Sequence, residues 1–181
     1  APYKTSQFRF ATNWYRGDRI SIHGLRISSS GGDSIDFGPG PPPMTNVKDV
    51  VLDDHLRQGM SICSGVVNFT VENTVMSNTG GHAPACGLDI EFDHMDAVTK
   101  NVSFRNVSFI NNSNCGVSIS PSAMVYDPAR KMYDHPNRLE LTFEDIFVVD
   151  NRGQGHACGE DMAGVQLTNM PPALQVASLS L

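Results

Sequence analysis

The chain has 181 residues, 40% of them hydrophobic and 18% charged, with a formal net charge of −6. That length suits one domain with a real core, and the acidic balance with scattered Lys and Arg argues against nucleic acid as a partner. No apolar run reaches the length of a membrane span.

Residues 1–19 read as an irregular lead-in whose aromatics, Phe8, Phe10, Trp14 and Tyr15, suit an earlier, less regular unit. The chain opens at Ala1 without Met, as expected of a mature product or a fragment. From Ile20 onward a unit recurs. Each begins with a strand-like run ending in a turn residue: Ile20 to Gly24, Thr45 to Asp49, Phe69 to Asn73, Val102 to Asn106 and Leu141 to Asp145. A second run follows directly: Leu25 to Ile27, Val50 to Leu52, Thr74 to Met76, Val107 to Phe109 and Ile146 to Val148. A third starts at a repeated glycine: Gly32 to Asp36, Gly59 to Cys63, Gly87 to Glu91, Gly116 to Ser120 and Gly164 to Thr168, spaced 27, 28, 29 and 48 residues apart. The first copy departs by carrying Asp33 where the others carry an apolar residue.

Apolar and polar residues alternate within each run, the signature of strands with one buried face. The turn positions hold only Gly, Asn and Asp, which tolerate left-handed backbone angles. A period in the high twenties marks stacked units. The expectation is therefore an all-β fold, a right-handed parallel β-helix of about five rungs with three short strands per rung. It is expected as a single domain over 1–181, with rungs in 20–169 and a terminal strand in 170–181. In that stack Ile35, Ile62, Ile90 and Ile119 form one interior file.

The chemistry is expected on the outward positions of the third strands. One column reads Ser34, Ser61, Asp89, Ser118 and Gln166; the other reads Asp36, Cys63, Glu91, Ser120 and Thr168. Asp89 and Glu91 then face the same way roughly 6.5–7 Å apart, with Asp36 two rungs off and His94 close behind. Such carboxylates can divide acid and base work in glycoside hydrolysis, or serve as oxygen ligands that hold Ca²⁺ between an acidic sugar and the protein. The alternative is a solvated polar face. The run Asp53, Asp54, His55 and Arg57 mixes acid, imidazole and guanidinium. His55 and Arg57 could act as base and enolate-stabilising cation of a uronate lyase, with Asp36, Asp53, Asp54 and His94 contacting substrate; alternatively the loop pairs with itself.

Cys86 and Cys115 each precede a repeat glycine, so they stack on neighbouring rungs about 4.8 Å apart, within the Cα range of a disulfide. The alternative is two stacked thiols. The bridge, with Cys63 and Cys158 as its remainder, implies a secreted protein. Asn68, Asn101 and Asn111 begin glycosylation sequons; Asn106 begins a weaker one, because it occupies a turn.

The runs Arg57 to Cys63 and Ser77 to Glu91 resemble the pectin-lyase-like β-helix superfamily, in particular a stretch found in right-handed β-helix repeat proteins. The resemblance implies that architecture and the binding, cleavage or epimerisation of acidic polysaccharides. The Asn-Thr-Asp, Gly-His-Gly and Arg-Ile-Lys motifs of polygalacturonases are missing, as is the calcium set of alginate and chondroitin lyases. Two functions follow as expectations. One is an extracellular polysaccharide-engaging β-helix, acting as a lyase or hydrolase of acidic glycans. The other is a non-enzymatic structural glycoprotein whose uncapped ends associate end to end into a filament.

Overall fold

The computed structural model describes residues 8–15, 17–38, 44–91, 98–120, 139–152 and 164–167. His94 and the expected terminal strand over 170–181 lie outside them. Among the described residues there is no helix, and every strand pairing is parallel. The strands are β1 (Thr12–Trp14), β2 (Ile20–His23), β3 (Arg26–Ser28), β4 (Ile35–Phe37), β5 (Thr45–Lys48), β6 (Val51–Asp53), β7 (Met60–Ile62), β8 (Val67–Ser77), β9 (Leu88–Glu91), β10 (Thr99–Ile110), β11 (Val117–Ser120), β12 (Leu139–Val149) and β13 (Val165–Leu167).

They form two sheets that the chain visits in alternation. One has the order β1-β4-β7-β9-β11-β13; the other has β12-β10-β8-β5-β2, with β3 and β6 joined alongside β8. The core lies between them. Phe37 of β4 meets Phe69 of β8 edge-on with ring centroids 4.9 Å apart, and Phe104 stacks on Phe143 at the same separation.

Left-handed backbone angles fall at Gly24, Asp49, Asn73, Asn106 and Asp145, the five turn positions of the repeat. In the later units this single residue bends the chain without ending the ladder. β8, β10 and β12 therefore run continuously through it, and those units have two strands rather than three. A second left-handed column, Ser29, Asp54, Asn78, Asn111 and Asp150, ends the same segments. Side-chain ladders tie both columns: Asn106 Nδ2 donates to Asn73 Oδ1 at 2.9 Å, and Asn111 Nδ2 to Asn78 Oδ1 at 2.6 Å. The sequon asparagines Asn68 and Asn101 form a similar rung, at 2.8 Å.

The register of the first unit corrects the expected file. Phe37, not Ile35, stands beside Ile62, Ile90 and Ile119, while Ile35 stands beside Met60, Leu88 and Val117. The unit is slipped by two residues, so Ser34 takes the place of the repeated glycine. This register puts Asp36 rather than Ser34 in the polar position between two apolar ones. The glycines at 59 and 87 are required by space. A Cβ on Gly59 would lie 2.6 Å from the Gly87 carbonyl oxygen, and one on Gly87 would lie 2.6 Å from Phe109 Cδ1.

The expected Cys86–Cys115 bridge is not formed. Stacking does bring the buried sulfurs together, but at 2.8 Å, beyond the S–S bond length of about 2.05 Å. Cys86 keeps a thiol, in contact with the Pro84 carbonyl oxygen at 3.3 Å. Cys115 is disulfide-bonded, and not to Cys86.

Candidate functional site

The side chains that alternate with the core on the six-stranded sheet form a polar file: Asn13 on β1, Asp36 on β4, Ser61 on β7, Asp89 on β9 and Ser118 on β11, all in register. The last four were expected in solvent. Instead Asp36, Ser61, Asp89 and Ser118 are buried. The slip of the first unit also moves Asp36 out of the column of Cys63 and Glu91 and into that of Asp89.

The loops entering β4 and β7 bring three more polar groups to this file. Asp33, fully buried, receives Arg57 Nη1 at 2.8 Å and the Ser61 hydroxyl at 2.8 Å, both on Oδ2. Gln58 Nε2 donates to Asp89 Oδ2 at 2.6 Å, and the Ser118 hydroxyl also donates to Asp89. Burial dominates both carboxyls and opposes their ionisation. It lifts Asp33 to about 6 against the pull of Arg57, and Asp89 to about 7 with help from the neighbouring Glu91 charge. Both groups therefore exchange protons near neutrality, the range that acid–base chemistry needs.

Polar satisfaction fails in this same region. Asn13 Oδ1, Asp33 Oδ1, Ser34 Oγ, Arg57 Nε and Gln58 Oε1 are buried with no hydrogen-bond partner. Each such group costs about 1–3 kcal/mol, and further unpartnered atoms lie elsewhere, among them Asn46 Oδ1 on β5 and His55 Nε2. Arg57 is the gate: its side chain is 13% exposed, and Glu91 on the next column is partly exposed.

The other expected residues lie elsewhere. His55 does not join Arg57. It is buried, its Nδ1 takes the Ser30 backbone N–H at 3.2 Å and lies 2.7 Å from the Ser30 hydroxyl, and burial lowers its pKa to about 4. A neutral, enclosed imidazole is a corner support, not a contact for a uronate. Asp53 accepts from Ser77 and Asn78, each at 2.7 Å, and pairs with Arg26; Asp54 accepts from Ser29 at 2.8 Å. Both belong to the ladders at the opposite corner, because the left-handed residue Asp54 turns the chain before Arg57 reaches the polar file. Arg57 pairs with neither; its partner Asp33 comes from the preceding unit. Among the described residues no three His, Cys, Asp or Glu side chains converge as a metal-binding group.

Sequence reasoning missed Asp33 and Gln58. Asp33 was visible only as the misfit in the first repeat, and Gln58 precedes a repeat glycine without any motif of its own. No family model, curated protein or solved structure matches this chain.

Proposed function

We propose that the chain is a right-handed parallel β-helix that engages an acidic polysaccharide along the polar file and cleaves it by acid–base chemistry. The alternation of the chain between two parallel sheets, with like positions in register, supports the coiled reading. The observation that carries the function is the coincidence of two carboxyls titrating near neutrality with five unpartnered buried polar atoms and one guanidinium. Arg57 neutralises the uronate carboxylate, while Asp89 and Asp33 hold and move protons at the scissile position. Glu91, the partly exposed neighbour of Asp89, keeps the Asp89 proton in place by its charge. A hydrolase and a lyase share this equipment and differ in product.

The test is incubation with pectate, alginate and glucuronan, following unsaturated-product absorbance for elimination and reducing ends for hydrolysis. Turnover that Asp89→Asn abolishes supports the proposal. Absence of turnover on all three substrates contradicts it. A structural role is favoured by a separate feature: Phe147 and Val149, on β12, which ends its sheet among the described residues, are about half exposed. Filaments without turnover would establish that second reading, and charge placed at Phe147 would then block assembly.

A further inference from the structure

Tyr15 is unexplained by anything above. It directly follows β1, and its side chain is 51% exposed. The Gly38 N–H donates to the Trp14 carbonyl at 3.1 Å, continuing the β1–β4 pairing one residue further. Tyr15 and Gly38 therefore head the column that continues through Cys63 and Glu91, two residues along the strands from Asn13, Asp36, Ser61 and Asp89. The ring is seated on the backbone of Gly38. A Cβ built there would lie 2.3 Å from Tyr15 Cε1 and 2.6 Å from Cδ1, so only glycine leaves room for it. Beside it, Asn13 carries a buried Oδ1 with no partner, and Asp36 is almost fully buried.

We propose that Tyr15 is the aromatic platform of a sugar-binding subsite at the head of the polar file. It takes the C–H face of a pyranose ring, while the partly exposed Asn13 side chain hydrogen-bonds one of that sugar's hydroxyls. The inference rests on the glycan reading of the file and names one of its subsites. The face of an aromatic ring is electronegative and complements the polarised C–H bonds of a sugar face. Tyr presents this surface at low entropic cost because it has two side-chain torsions, and its seat on Gly38 removes more of that freedom in advance. A hydroxyl-bearing ring is the ligand that suits both features, since a purely apolar one would offer the Asn13 amide no polar contact. Three strand steps separate Asn13 from Asp89, roughly 14 Å. A chain held on Tyr15 therefore reaches Asp89 only if it is an oligosaccharide.

Trp14, the chain's one tryptophan, lies between Asn13 and Tyr15 in the chain with its side chain packed against the core, and gives a readout that needs no turnover. Galacturonate and mannuronate oligomers are titrated against the protein, following Trp14 emission and binding heat. The wild type is expected to bind with a change in emission. Tyr15→Ala should weaken binding about tenfold, whereas Tyr15→Phe should retain it. Gly38→Ala, which lifts the ring without removing it, should weaken binding as Tyr15→Ala does. Unchanged affinity in Tyr15→Ala, with turnover still dependent on Asp89, overturns the platform and leaves the catalytic reading standing. Failure of the wild type to bind either oligomer overturns both.

Discussion

The two sheets show what the same strand alternation does under opposite conditions. On the seven-stranded sheet the outward file reads His23, Lys48, Glu72, Arg105 and Glu144 in register, with its charges alternating in sign. Lys48 meets Glu72 at 3.3 Å and Arg105 meets Glu144 at 2.7 Å, all in contact with water. On the six-stranded sheet the corresponding file is buried and its polar atoms are only partly matched. Their carboxyls diverge accordingly. Hydrogen bonds from Ser77 and Asn78 hold Asp53, on β6 of the same seven-stranded sheet, below the ordinary range, while burial lifts Asp33 and Asp89 above it. A polar face that closes on itself in water explains its own residues. The buried face is where the proposed function is placed.

The largest expected effect comes from removing the cation of the buried file. Arg57→Ala strands Asp33 without its partner and should cost about 3 kcal/mol in urea unfolding. Adding Asp33→Asn should restore most of that loss. Asn112→Ala gives a slightly smaller effect from a buried amide whose bonds are complete. Asn112 accepts from Thr79 and donates to Asn151 Oδ1 and the Met76 carbonyl. Its loss should cost about 2–3 kcal/mol, because those partners are left unpaired inside the corner.

pH sharpens the contrast further. Asp33 and Asp89 have folded pKa values above the 3.8 of an unfolded aspartate, so the unfolded chain releases these protons first. Their effect is absent below that value, and stability then falls as pH rises through about 6 and about 7. Asp53 has the opposite sign: its contribution is present above the ordinary carboxylate range and is lost on acidification. Unfolding curves across the acid-to-neutral range should show a shallower decline in Asp33→Asn and Asp89→Asn, and a smaller acid loss in Asp53→Asn. The smallest effect belongs to the exposed ladder. Arg105→Ala should leave the urea midpoint unchanged, because water screens that pair.

The repeated unit was legible because turn chemistry is local. Gly24, Asp49, Asn73, Asn106 and Asp145 each announce a left-handed residue, and each has one. The two-residue slip of the first unit was harder to see. Gly32 imitates the repeat glycine, and only the misplaced Asp33 betrays that Ser34 holds the true position. The site was legible in Asp89, Arg57 and Asp36 but not in its burial, since alternation tells which side chains oppose the core and not what covers them. Pairing across units, Arg57 to Asp33 and Gln58 to Asp89, depends on register, and so sequence proximity wrongly assigned His55, Asp53 and Asp54 to the same group.

The most direct measurement is a carboxyl-carbon NMR titration of Asp33, Asp89 and Asp53, with and without an oligouronate. The account predicts midpoints near 7 for Asp89 and near 6 for Asp33, both moving when the oligomer is added, and a low midpoint for Asp53 that does not move. Ordinary aspartate midpoints at 33 and 89 that ignore the sugar would contradict it.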